Sequence, residues 1–191
     1  GPSYARNIGF LHARGTFIAF TDDDCVVPKD WLEKFYDAFK KNPEIARSWR
    51  LIVCGGYIPG ERYLATVLAT QMRLGPNLPI EIMPNIGAEK LRRLYSEAKI
   101  FWHLCGLGET DPERMEHFGM ATVEAMQNYC APITFNGGGQ KEIVEHGRSG
   151  YLVDSLSKLE AATMGLMSNP ARLRKIARAA RHRSRRFSVD I

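Results

Sequence analysis

Two carboxylates bracket one short stretch, Glu116-His117-Phe118-Gly119-Met120-Ala121-Thr122-Val123-Glu124, eight positions apart. The stretch reads as a loop running into a helix, with Glu116 before the helix and Glu124 about two turns along it. Gly119 has no Cβ and lets backbone come close to a ligand. The first turn of a helix leaves unpaired N–H groups at a positive dipole end, which together suit a phosphate. A carboxylate beside such a site cannot serve the phosphate, but it accepts hydrogen bonds from hydroxyls of a sugar or a ribose. The chemistry that fits is recognition of a phosphate flanked by two polyols, the shape of a nucleotide sugar. The spacing alone fits an amphipathic helix with two surface glutamates equally well.

A second acidic group follows a short apolar run. Thr16-Phe17-Ile18-Ala19-Phe20 reads as a buried strand whose tip is Thr21-Asp22-Asp23-Asp24. An α/β sheet places ligands at the carboxyl ends of its strands. Asp22 and Asp24 offer the hard oxygen ligands that suit Mg²⁺ or Mn²⁺, and such an ion neutralises a diphosphate. A polar strand-to-helix loop is the other reading of the same residues. His103 closes a strand and stands equally as a ligand contact or a core histidine. Gly137-Gly138-Gly139 makes a tight loop but lacks the G-x-G-x-x-G spacing of a phosphate cradle. Asn85 follows a strand as a turn residue would.

The elements that must position these groups alternate as in a doubly wound sheet. Strands are expected at 16–20, 51–54, 80–83, 100–103, 132–135 and 151–153. Trp31, Leu32, Phe35, Tyr36 and Phe39 recur at helical spacing over 30–41. Tyr63, Leu64, Val67, Leu68 and Met72 define one face of the next helix, and Leu91, Leu94, Tyr95 and Ala98 one face of another. Helices are expected at 140–145, 158–167 and 170 to about 186, the last with Leu173, Ile176, Ala177 and Ala180 inward and its arginines outward.

From about residue 47 onward the chain resembles the retaining GT-B glycosyltransferases of family 4. The resemblance rests on the E-x7-E pair Glu116 and Glu124, and on Trp49-Arg50-Leu51, Gly55-Gly56, Pro84-Asn85 and Ile100-Phe101-Trp102-His103. Cys130-Ala131-Pro132-Ile133, Asn136-Gly137-Gly138-Gly139, Glu142-Ile143-Val144 and His146-Gly147 extend it, although Tyr129 stands where the family usually has Gly. Residues 1–46 resemble family 2, which has the GT-A fold, through Ala5-Arg6-Asn7, Ile18-Ala19-Phe20-Thr21-Asp22-Asp23-Asp24 and Trp31-Leu32-Glu33. The family 2 D-x-D motif falls on Asp22 and Asp24, and the two resemblances join near 44–49.

The resemblance implies a Rossmann-like three-layer sandwich with a mainly parallel sheet, the C-terminal half of a GT-B enzyme. The family 2 segment would complete that sheet with one β-α unit, so that 1–191 forms one domain. It implies that Glu116 binds donor sugar hydroxyls and Glu124 the ribose. Backbone N–H groups of Phe118, Gly119 and Met120 would stabilise the leaving diphosphate. His117, Asn85, Gly138 and Gly139 would line the donor site. The donor would be a UDP- or GDP-sugar, the reaction hexose transfer with retention, and the acceptor a glycan or lipid-linked sugar. The GT-B chemistry needs no metal; Mg or Mn would enter only through Asp22 and Asp24. The family's acceptor domain and its donor-site Arg and Lys have no counterpart among these residues, so the chain is expected to need a partner. The alternatives are a metal-dependent GT-A-like fragment and a non-catalytic nucleotide-binding remnant.

Composition bounds these readings. The 191 residues suffice for one domain with a full core. At 45% hydrophobic and 25% charged they match a soluble globular protein, without an apolar run that spans a bilayer or a signal peptide at the start. A cytoplasmic location, peripheral on the inner membrane face, is expected. Cys25, Cys54, Cys105 and Cys130 form no C-x-x-C pair and read as buried free thiols. The net charge of +5 gathers at the C-terminus, from Arg172 to Arg186. That face is either solvated or meets acidic lipid heads; no aromatic platform accompanies it, so nucleic acid is not expected. An open apolar donor face would favour a homodimer.

Overall fold

The computed structural model describes residues 15–21, 30–56, 62–75, 79–108, 111 and 115–187. Six strands form one sheet: β1 (Gly15–Thr21), β2 (Trp49–Gly55), β3 (Ile80–Pro84), β4 (Ile100–His103), β5 (Ala131–Phe135) and β6 (Tyr151–Val153). Their order is β3-β2-β1-β4-β5-β6, and every pairing is parallel. β1 occupies the centre: Phe17 lies beside Leu51 of β2 and beside Ile100 of β4. The chain runs outward from β1 to β3, returns to β4, and then runs outward the other way. Between β1 and β4 lies the switch point where such sheets bind ligands.

A parallel sheet is covered on both faces, so its inner strands are apolar throughout. All of β4 and β5 is buried. Alternate residues serve opposite faces. Leu51, Val53, Ile100, Trp102 and Ile133 pack with helices α1 (Trp31–Lys41), α3 (Arg62–Leu74) and α7 (Leu156–Met167). Ile52, Cys54 and Phe101 pack with α4 (Ala88–Glu97) and α5 (Met120–Gln127). The short helices α2 (Pro43–Ala46) and α6 (Gln140–Ile143) sit in connections, and α8 (Pro170–Ser184) closes the chain. From α8, Leu173 and Ile176 join the first core, while Ala180 joins Val123, Met126, Ile143 and Val144 in a third cluster. The result is the expected three-layer, Rossmann-like α/β sandwich.

Four local readings need correction. Met72 is 81% exposed and Leu68 39%. Val67 of the expected face is buried, but Thr70 joins it inward in their place, with Gln71 donating to the Ile80 carbonyl at 2.8 Å. α5 begins only at Met120, so Glu124 lies one turn into it rather than two. Cys105 is disulfide-bonded rather than a free thiol, buried in the turn that leaves the carboxyl end of β4. Cys54 and Cys130 are the buried free thiols expected, and burial, the largest cause, pushes the Cys54 thiol up to about 12. Finally, Arg183 of α8 points inward rather than out, with a side chain only 15% exposed.

Candidate functional site

The carboxyl ends of β4 and β5 carry the loops that build the site. His103, fully buried, is the last residue of β4, and its Nε2 lies 3.3 Å from Glu116 Oε2. The other carboxylate oxygen, Oε1, accepts the N–H groups of Phe118 and Gly119, each at 2.9 Å. Glu116 thus folds back over the turn that opens α5. Gly119 is the N-cap residue of that helix, with φ +69°, a left-handed conformation that a side chain would strain. Its α-carbon faces Ile143 Cδ1 and the Gln140 amide, which would stand 2.6 and 3.0 Å from an added Cβ.

These contacts hold the Glu116 carboxyl well below the ordinary range, at about 2. The His103 imidazole is the largest cause, and the Gly119 and Phe118 N–H groups add to it against the opposing effect of burial. The turn therefore presents a carboxylate in its charged form, already seated on the two N–H groups that an anionic ligand would seek.

The triple-glycine loop does not form an open cradle. It packs on the backbone of the Glu116 turn. Gly139 N–H donates to the Glu116 carbonyl at 2.9 Å. A Cβ on Gly138 would stand 2.0 Å from the Glu116 carbonyl oxygen, and one on Gly139 would stand 2.2 Å from that of His117. Here glycine serves close packing of two loops.

The structure brings Glu116, Phe118, Gly119, Gly138 and Gly139 together. His117, Phe118 (79% exposed) and Met120 (65% exposed) project from the same turn into solvent. Glu124 is also exposed, one turn along α5, where its carbonyl accepts from Asn128 Nδ2 at 2.9 Å. Asn85 stands apart. It follows β3 at the sheet edge with φ +51° and donates its N–H to the Gly55 carbonyl at 3.0 Å. With β2 and β1 between β3 and β4, it is about 14 Å from the β4 end by strand spacing. Asp22 and Asp24 lie outside the described residues.

Sequence reasoning left the role of His103 open and did not find Gln140. The side-chain amide of Gln140 is fully buried behind Gly119, and neither of its polar atoms has a hydrogen-bond partner among the described residues. Its spacing after the three glycines carried no signal, because the contact is made across the fold.

Comparison with known proteins fits this geometry. The family profile described as "Glycosyl transferases group 1" matches residues 26–183. That span takes in α1, upstream of the join expected at 44–49. A GDP-Man:Man(3)GlcNAc(2)-PP-Dol alpha-1,2-mannosyltransferase of Xenopus laevis is 30% identical over 154 residues, covering 78% of this chain. The chain spans only 30% of that relative's length. Among solved structures, the C-terminal domain of a glycosyl transferase group 1 family protein (LpcC) from Francisella tularensis superposes with a TM-score of 0.71 at 20% identity, covering 94% of this chain and 90% of that one. Anabaena HepE in complex with UDP-glucose superposes with a TM-score of 0.70 at 22% identity, over 97% of this chain and 48% of that one. These likenesses establish the fold as that of GT-B C-terminal domains. The match over most of its length places this chain in the family of group 1 glycosyl transferases.

Proposed function

We propose that this chain is the donor-binding domain of a retaining GT-B glycosyltransferase of family 4, and that it binds a UDP- or GDP-sugar for hexose transfer. The observation that carries the reading is the anion seat at the start of α5, where Phe118 and Gly119 N–H groups converge on one carboxylate oxygen. In the loaded site the donor diphosphate takes these N–H groups, with Met120 N–H beside them. Glu116 then turns to the sugar hydroxyls, and Glu124 meets the ribose. Preorganised N–H groups at the leaving diphosphate stabilise the charge that develops there. The acceptor hydroxyl attacks from the face the diphosphate leaves, and the departing phosphate takes its proton.

The acceptor, a glycan or lipid-linked sugar, is met by a second domain or a second copy of the chain on the side where Phe118 and Met120 stand exposed. This reading treats 1–191 as one domain, supported by the central place of β1. It takes residues 1–46 as a segment of family 2 origin. It also puts the domain at the cytoplasmic membrane face. Among the described residues no helix is long and apolar enough to cross a membrane.

Calorimetric titration with UDP-glucose and GDP-mannose, with and without Mn²⁺, tests the reading. Metal-independent binding that Glu124→Ala weakens at least tenfold is expected. Binding only with Mn²⁺, lost on Asp24→Ala, would move the site to the aspartate cluster. No binding at millimolar donor would leave a folded remnant without the function.

A further inference from the structure

The Glu116 turn rests on α6. Gly139 N–H holds the Glu116 carbonyl, Gly138 and Gly139 abut the Glu116 and His117 carbonyls, and Gln140 and Ile143 back Gly119. Yet α6 has only four residues, Gln140–Ile143, and a single turn of helix does not hold itself. Its last carbonyls need partners from elsewhere in the fold.

Arg183 of α8 supplies them. Its Nε donates to the Ile143 carbonyl and its Nη2 to the Glu142 carbonyl, each at 2.5 Å. Its Nη1 pairs with the Glu145 carboxylate just beyond α6. The guanidinium also lies 5.9 Å from the Phe187 ring centroid. A planar fork with several fixed donors can meet three acceptors at once, which a lysine ammonium on a flexible stem does poorly. Arg178 of the same helix, by contrast, is exposed.

We propose that Arg183 is a positioning residue of the donor site. It clamps the C-terminal end of α6, and through α6 it sets where the Gly138–Gly139 backbone meets the Glu116 turn. It touches no ligand itself. The link to donor binding rests on the function proposed above; the link to the turn does not.

The test compares wild type, Arg183→Met, Arg183→Lys and the control Arg178→Met. Amide hydrogen exchange at Phe118, Gly119 and Gly139 reports the turn, and titration with UDP-glucose reports the site. Arg183→Met is expected to speed exchange at these three amides and weaken UDP-glucose roughly tenfold, since small misplacements of positioned groups cost about that or more. Arg183→Lys should recover part of both, and Arg178→Met should change neither. A lower Tm with unchanged exchange at the three amides would overturn the proposal, because a merely structural arginine would act that way. If Arg183→Met does not fold, Glu145→Ala removes one of the three partners, and exchange equal to wild type there would overturn it as well. Faster exchange in a protein that binds no donor would uphold the clamp and refute the donor reading.

Discussion

Glu116 shows how one side chain can be set by its neighbours rather than by its own chemistry. Its carboxyl is depressed from an ordinary 4.5 to about 2 in the folded chain. A group depressed on folding stabilises the fold above its unfolded value, and that contribution is lost as pH falls through the folded value. The side chain is partly exposed, so solvent screens part of the effect. Between about pH 4.5 and 2 the wild type should lose on the order of 2 kcal/mol through this group. Thermal melts across that range should therefore fall more steeply for wild type than for Glu116→Gln, and parallel curves would refute the pairing. Tyr129 is the opposite case, a residue set against its own preference. It holds φ +63° in the turn between α5 and β5, where a non-glycine residue carries strain of about 1 kcal/mol. The Arg181 guanidinium, 6.0 Å from its ring centroid, returns roughly 0.5 kcal/mol. In an Arg181→Ala background, where that return is gone, Tyr129→Gly should raise Tm; a fall would show the turn to be unstrained. The sequence marked Tyr129 through its departure from a glycine position. It could not mark the His103–Glu116 approach, which depends on β4 and the following loop meeting in space.

Elements of strong period were legible, and short ones were not. The apolar faces of α1, α4 and α8 appear where their spacing put them, because a one-sided helix has one way to bury that side. The face of α3 was placed correctly at Val67 but too far round at Leu68 and Met72, because polar Thr70 and Gln71 lie close beside the apolar stripe. Tertiary packing chose the polar side, where Gln71 reaches the Ile80 carbonyl. The start of α5 at Met120 could not be read from the sequence, because a glycine N-cap in a left-handed conformation gives no side-chain capping signal. The glycine loop before α6, expected to line the donor site, also packs closely on the Glu116 turn, a contact its sequence did not signal. Two glycines separate the kinds. Gly139 has ordinary helical dihedrals, so alanine would suit its backbone, yet its Cβ would meet the His117 carbonyl, which cannot swing aside. Gly139→Ala should cost about 2 kcal/mol by overpacking. Gly165, inside α7 with nothing within 4 Å of an added Cβ, should gain about 0.5–1 kcal/mol as alanine. Chemical denaturation of both variants checks the pair, and equal effects would mean that the loop contact is looser than described.

At the scale of the whole molecule, alternation of strands and helices pointed to a parallel sheet with helices on both faces, and the sheet is of that kind. The strand order was not readable, because period and composition say which residues are buried but not which strand lies next to which. The central position of β1 has a consequence for how the molecule is made. β2 and β3 follow β1 closely, so the first half-sheet can assemble early by short-range pairing. The other side of β1 pairs only with β4, Phe17 beside Ile100 and Phe20 beside His103, after a long intervening chain. Until β4 arrives, β1 presents an unpaired edge rich in apolar residues, the kind of edge that joins other chains. Closing that late, long-range contact should set the pace of folding, and it makes the seam between β1 and β4, the switch point of the finished sheet, the point at which its assembly is most exposed to error.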